Sequence, residues 1–300
     1  MKTIDVVILV QKEYVNPQNP DWFLENIMLE DNLLTKALTK QGLTSKIVAW
    51  DDKEFDWSST KSIVIREIWD YHERFEEFMN WVNETRKKTL FINDIDQVIW
   101  NIDKHYLQDL KDKGINIPES VFISKGSKVS LKELHSTNNW DKTVFKPTVS
   151  AGSRNTIKIT PENIEENEEL FTKIVSEEDM MIQPFLKNIE TKGEITLVML
   201  GGKFSHAILK RAKKGDFRVQ DDFGGTVHDY SPTQDEINWA IETVNKLNPV
   251  PTYARVDAVW DNNENLAVTE IEMIEPELWF RNSEGSADMF AKEVKKKIDN

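Results

Sequence analysis

The stretch that most constrains this chain is Tyr253–Phe280, YARVDAVWDNNENLAVTEIEMIEPELWF. It reads as two β-strands around the polar turn 261–265, and strand side chains alternate between faces. Glu270 and Glu272 therefore point the same way. A turn made of residues 262–265 sets Asp257 opposite Glu270, so that all three carboxylates share one face. The other face is filled by Val256, Ala258, Trp260, Ala267, Thr269, Ile271 and Met273. A hairpin this apolar on one side packs against a core, which turns its acidic side toward a cleft. Like charges held so close need neutralising, and a pair of Mg²⁺ ions is suited to the task because hard cations take oxygen ligands. The competing reading is a solvated acidic face on an edge hairpin.

The N-terminal third sets the framework. Ile4–Val10 is an apolar run of strand length, 22–41 has helical spacing and stops at Gly42, 45–50 and 62–67 are strands, 70–86 is a helix and 89–92 a fourth strand. Such alternation predicts a parallel sheet with helices on its faces. Parallel sheets bind ligands beyond the C-terminal ends of their strands. Arg66, Trp69 and Tyr71 follow strand three and are candidates for holding an anionic substrate; for Arg66 an ion pair with Glu67 is the alternative.

Further along, 97–114 reads as one helix closed by Gly114, on which Lys104 is by itself a surface lysine. The segment 143–158, TVFKPTVSAGSRNTIK, places Lys146 on a short strand before the small-residue loop 147–155. Gly152 opens backbone conformations closed to other residues, and loops of this kind can turn several N–H groups toward phosphate oxygens. An ordinary hairpin turn is the alternative. Residues 162–178 form an acidic helix, 180–186 a strand ending in QPFL, and 194–200 with 203–210 a hairpin through Gly201 and Gly202. His206 on that hairpin reads as a packing residue. The glycine-rich 213–226 reads as a functional loop with Arg218 as its anion contact. A helix over 232–247, capped by Thr233 with Glu236 three residues on, leads into the acidic hairpin. A helix over 283–298 closes the chain.

Composition removes several alternatives. The chain has 300 residues and no cysteine, which excludes disulfides, thiolate metal sites and a cysteine nucleophile and fits a cytoplasmic enzyme. A net charge of −14 argues against a nucleic-acid partner. No apolar run reaches the length of a membrane span.

The order of these parts resembles the ATP-grasp ligases over nearly the full length, in the glutathione-synthetase-like branch. The stretches IREIWDYHERFEEFMNWV, WNIDKHYLQDL, VFKPTVSAGSRNT and EIEMIEPELWF look most like the D-cycloserine-forming ligases and their bacterial relatives. The resemblance implies an α/β fold, α+β in its C-terminal half: a parallel N-terminal α/β lobe over 1–94, a central lid subdomain over 95–188 and a catalytic subdomain over 189–300, the last two clasping ATP. It implies that Lys104 and Lys146 contact ATP phosphates, with Gly152 and Ser153 in the phosphate loop. Gln183, Pro184, Phe185 and Leu186 match the adenine hinge, and Glu190 the carboxylate on the ribose. Lys210 and Arg218 match catalytic basic positions near the transferred phosphate. Asp257, Glu270 and Glu272 match the magnesium ligands. Many relatives carry asparagine at the position of Glu272, and glutamate there adds charge that favours tighter metal binding or Mn²⁺. Arg281 joins Arg66, Trp69 and Tyr71 as a substrate-binding candidate.

The reaction so implied is an ADP-forming ligation. A carboxylate of a small molecule or peptide takes the γ-phosphate, and a nitrogen nucleophile displaces it from the acyl phosphate. An intramolecular cyclo-ligase is a variant, and a non-catalytic ATP-binding module belongs to a different class. A homodimer is compatible with either.

Overall fold

The computed structural model describes residues 2–220 and 223–300. In chain order, the first lobe is β1 Ile4–Val10, α1 Trp22–Lys40, β2 Ser45–Ala49, β3 Thr60–Ile65, α2 Phe75–Thr85 and β4 Leu90–Ile92. Its four strands are all parallel, in the order β2-β1-β3-β4. The central strands are apolar on both sides because helices or other lobes cover both faces. Asp21 caps α1 by accepting from the N–H groups of Phe23 and Leu24. Gly42, at φ 77°, ends the helix in the left-handed conformation that the sequence predicts.

Two short helices follow, α3 Ile95–Ile102 and α4 Tyr106–Asp112. The sequence predicts one helix here, and the structure breaks it at Asp103, whose backbone is extended. The Asp103 carboxylate accepts from the His105 N–H and starts the second helix. The middle lobe contains β5 Val121–Ile123, α5 Leu131–Asn138, β6 Thr143–Pro147, β7 Ile157–Ile159, α6 Ile164–Glu177 and β8 Met180–Pro184. Its sheet runs β5-β8-β6-β7, antiparallel throughout. Phe145 and Phe171 meet edge to face in the core behind it.

The last lobe has α7 Asn188–Thr191, β9 Glu194–Leu200, β10 Lys203–Arg211, β11 Thr226–Asp229, α8 Gln234–Asn245, β12 Tyr253–Trp260, β13 Leu266–Glu272 and α9 Ser286–Asp299. Its sheet order is β11-β10-β9-β12-β13. Thr233 and Glu236 form the reciprocal capping box of α8. One sheet face packs on α4 and α8. At the other end, α9 joins β9 and β12 to the first lobe, with Phe290 against Tyr253 and Phe280.

The pairing Asp257↔Glu270 is observed, but by a different route from the one the spacing suggests. The turn has five residues, not four, because the Asp261 carboxylate accepts from the N–H groups of Asn263 and Asn265. A bulge at Thr269 then restores the register: Asp257 pairs with Glu270 while Ala258 pairs with Val268. The bulge corrects the predicted apolar face. Leu266 and Val268 pack into the core beside Val256, Ala258 and Ile271, whereas Thr269 turns to the cleft.

The first and last lobes are joined by Asn93, which is buried at φ 66° just after β4. Its amide nitrogen donates to the carbonyls of Tyr253 and Met273, and its oxygen accepts from the N–H groups of Thr252 and Tyr253. Asn93→Ala leaves four buried backbone groups without partners. We expect it to lower stability by about 3 kcal/mol in urea unfolding; a loss below about 1 kcal/mol would mean that the junction does not depend on it.

Candidate active site

A cleft of about 640 Å³ opens where the three sheets converge. That volume is within the usual range for ligand pockets, about 300–1,000 Å³. One wall is the acidic face of β12 and β13, another the strand and loop around Lys146, and the third the C-terminal ends of β1 and β3.

The break between α3 and α4 places Lys104. Its backbone N–H donates to the Thr148 carbonyl at 2.8 Å, so the side chain leaves the helix surface. The ammonium is buried, donates to the Ser150 carbonyl at 2.9 Å and pairs with Glu270 at 3.2 Å. Lys146 lines the same end without a side-chain partner among the described residues, and burial lowers its pKa despite the attraction of Glu270. An ammonium ion held in that way has unused donors, which suit an anionic ligand. Ser150, Gly152 and Ser153 line the cleft beside it. Arg154 anchors their loop by a two-pronged pair with Glu178 at 2.8 and 2.5 Å.

The three predicted carboxylates meet in the cleft. Burial opposes ionisation of Asp257, but Arg255 and Lys210 outweigh it and hold its pKa low. Thr196 also donates to Asp257 at 2.6 Å. Glu270 is likewise held low, against burial, by Lys104 and Lys146. Glu272 is driven up by burial, only partly offset by Arg255. The Arg255 guanidinium spans Asp257 and Glu272. No three acidic or histidine side chains among the described residues stand together as a finished metal cage. The donor set still fits Mg²⁺, because it is entirely carboxylate oxygen and its second glutamate lacks sufficient positive charge.

The other predicted residues divide into two groups. Gln183, Pro184, Phe185 and Leu186 line the cleft, with Phe217 edge-on to Phe185 at 5.9 Å. Glu190 is exposed on α7 and pairs with Lys158 at 2.7 Å, outside the cleft lining. Lys210 lines the cleft and is already paired with Glu194 at 2.6 Å and Asp257 at 3.4 Å. Arg218 lines it too, pairs with Asp216 at 2.7 Å and lies 3.8 Å from the centre of the Phe223 ring. Residues 221 and 222 of the predicted loop 213–226 lie outside the described residues.

Trp69 and Tyr71 line the cleft, but Arg66 and Arg281 do not. Arg66 is buried beneath it, donating to the Pro276 carbonyl at 2.9 Å and to Glu67 at 2.8 Å. The ion-pair alternative applies there, buried and not at the surface. Arg281 is taken up by Glu30 at 3.0 Å and Glu277 at 2.6 Å. Sequence reasoning missed Arg255, Glu194, Glu275 and Trp279 in the lining. Arg255 was detectable, since it lies two residues before Asp257 and so on the same strand face.

The comparisons with known proteins bear on this geometry. A family profile described as "Prokaryotic glutathione synthetase, ATP-grasp domain" matches residues 110–270, more than half of the chain. The chain belongs to the ATP-grasp family. A second profile, "D-cycloserine synthetase DcsG, N-terminal domain", matches residues 6–93. The cycloserine biosynthesis protein DcsG of Streptomyces lavendulae is 26% identical over 283 residues, which is 88% of this chain and 92% of that protein. A crystal structure of D-cycloserine synthetase DcsG superposes with a TM-score of 0.83 at 24% identity, covering 98% of this chain and 99% of that one. D-alanyl-alanine synthetase A of Vibrio cholerae has the same fold at 11% identity and a TM-score of 0.68, with full coverage of both chains. This ATP-grasp protein is an ATP-dependent ligase that forms a C–N bond. Among the described residues no helix is long and apolar enough to cross a membrane.

One consequence is measurable without substrate. Burial pushes the pKa of Glu275 up from 4.5 to about 7. The folded chain keeps this proton where the unfolded chain has lost it, so Glu275 costs stability as pH rises through that window. In Glu275→Gln the penalty is absent. Its stability relative to wild type should rise by roughly 3 kcal/mol between pH 5 and pH 8 in paired urea titrations. A difference independent of pH would mean that Glu275 titrates normally.

Proposed function

We propose that the cleft activates the carboxylate of a small molecule as an acyl phosphate and passes it to nitrogen. The observation that carries this reading is the meeting of Lys104, Lys146 and Glu270 at one end, with Asp257 paired opposite Glu270. Lys104, Lys146 and the loop around Gly152 and Ser153 bind the phosphates of ATP. The segment Gln183, Pro184, Phe185 and Leu186 seats the adenine. Mg²⁺, or Mn²⁺ given the extra charge of Glu272, would be held by Asp257, Glu270 and Glu272 and would neutralise the phosphate oxygens. The substrate carboxylate oxygen attacks the γ-phosphorus and ADP leaves. The nitrogen nucleophile then attacks the acyl carbon, phosphate leaves with its bonding pair, and the nitrogen gives up a proton. Positive groups fixed in advance serve such a transfer better than a covalent nucleophile. Arg218 and Lys210 are assigned to the transferred phosphate and the developing oxyanion. For Lys210 this means sharing its charge with Glu194 and Asp257.

Glu190 is assigned to the ribose; it is paired with Lys158 outside the cleft lining, and that pair opens for it to turn inward. The kinship with D-cycloserine synthetase, which includes the first lobe, favours an intramolecular version in which one substrate carries both carboxylate and nucleophile. A product lighter by one water, formed from a single organic substrate, identifies that version by mass spectrometry. The enzyme works in the cytoplasm in this reading, and light scattering tests whether it does so as a homodimer.

The direct test is ADP release against a panel of amino acids and short peptides with Mg²⁺. Lys146→Met and Glu270→Gln should each reduce kcat/KM about 100-fold or more while the fold is retained. Unchanged rates in either variant would remove the proposed phosphate end.

A further inference from the structure

Two of the cations that keep the acidic face ionised, Lys210 and Arg255, have a contact besides their carboxylates. Both lie over the ring of Trp279. The Lys210 ammonium is 5.8 Å from the ring centre and the Arg255 guanidinium carbon 5.2 Å. These distances are inside the range, about 6 Å, over which a ring face attracts a cation. Trp279 is 3% exposed and lines the cleft, whereas its neighbours Leu278 and Phe280 enter the apolar core shared with α9. Its indole N–H is buried with no acceptor among the described residues. No hydrogen bond accounts for a tryptophan at this place, so what the side chain contributes is its face.

The backbone shows that the placement is imposed. Trp279 has φ 45° and ψ 46°, the left-handed region, which a bulky residue adopts only where its surroundings over-determine it. The chain is gripped on both sides of the ring. Before it, His206 on β10 donates from Nε2 to the Leu278 carbonyl at 2.9 Å, so this histidine does more than pack. After it, the buried carboxylate of Glu30 on α1 accepts from the N–H groups of Phe280 at 2.8 Å and Arg281 at 3.0 Å. The Arg281 guanidinium adds a bond to Glu30 at 3.0 Å and reaches Glu277 at 2.6 Å. Glu30 satisfies the free donors of this turn as a capping residue does for a helix, but it comes from another lobe, 250 residues away.

We propose that Trp279 is a positioning residue for the ligation: its ring braces Lys210 and Arg255 in the cleft, and Glu30 holds the ring there from the first lobe. The physical need is plain for Lys210. A lysine stem is flexible, and its three donors can satisfy Glu194 and Asp257 from more than one position. The ring face narrows that choice without using up a donor, which leaves the charge free to serve the transferred phosphate. The kinetic consequence rests on the phosphate assignment of Lys210 made above; the contact itself does not.

The test has two arms, both on the full chain. In the first, the chain carries ¹³C-labelled lysine, and the Lys210 signal is identified by its absence in Lys210→Arg. The ring current of Trp279 should move the Lys210 side-chain protons upfield of the exposed lysines. The shift should vanish in Trp279→Leu and shrink in Glu30→Gln, whose amide presents hydrogens where the backbone donors need an acceptor. In the second arm, ADP release is followed with the amino acid or peptide that responds in the panel above. Trp279→Leu should lower kcat about tenfold or more, with KM for MgATP within about twofold of wild type. Trp279→Phe, which keeps a ring face, should stay within about threefold of wild type. Glu30→Gln should lower kcat in the same way, and the double variant should be no slower than Trp279→Leu, because both changes act through one ring. A Lys210 signal coincident with the exposed lysines in wild type, an equal loss in Trp279→Phe and Trp279→Leu, a change confined to KM, or a double variant as slow as the product of the single losses each overturns the proposal. The wild-type shift and Glu30→Gln decide even if Trp279→Leu fails to fold. Failure of the ligase reading looks different: wild type releases no ADP with any member of the panel, while the Lys210 shift and its response to Glu30→Gln still decide where the ring stands.

Discussion

The arrangement of this cleft depends on keeping several carboxylates ionised on a buried sheet face. Asp257 lies on β12, between β9 and β13, where water does not compensate its charge. Arg255 does so from the same strand, Thr196 from the adjacent β9 and Lys210 from β10 beyond it. Lys104 does the same for Glu270 from a break between two helices. Removing one partner from such a lattice leaves an uncompensated buried charge, a larger penalty than the pair was worth. The cations are therefore part of the fold as well as part of the chemistry. A nucleotide with its metal would enter by exchanging partners within the lattice.

The second constraint is the junction of the lobes. The segment after β13 runs across the C-terminal edge of the first sheet, and its carbonyls are taken one after another by Asn93, Tyr253, Trp69 and Arg66. A loop pinned in that way holds Glu275 in a place that is unfavourable for it.

Much of this was legible in the chain itself. The strand–helix alternation of the first lobe, the glycine turn at 201–202 and the capping box at Thr233 are local signals, carried by neighbouring residues. Lys146 and the small-residue loop were visible for the same reason. Arg66 and Arg281 looked like substrate ligands because they follow a strand end and the acidic hairpin. The Pro276 carbonyl and Glu30, both distant in the sequence, join the nearby Glu67 and Glu277 in drawing them away from the cleft. The pairing of Asp257 with Glu270 was anticipated with a four-residue turn. The folded hairpin reaches it with a five-residue turn and a bulge, two changes of register that cancel.

The sequence by itself determined the order of elements, the acidic face and the family of the fold, because each is written in periodicity or in short contiguous motifs. Only the tertiary structure decided which acids are neutralised. That outcome depends on burial and on partners as far as 251 residues apart, such as Glu30 and Arg281. An electrostatic balance is a property of the assembled cleft, since the charge a group carries there is set by what folding brings beside it.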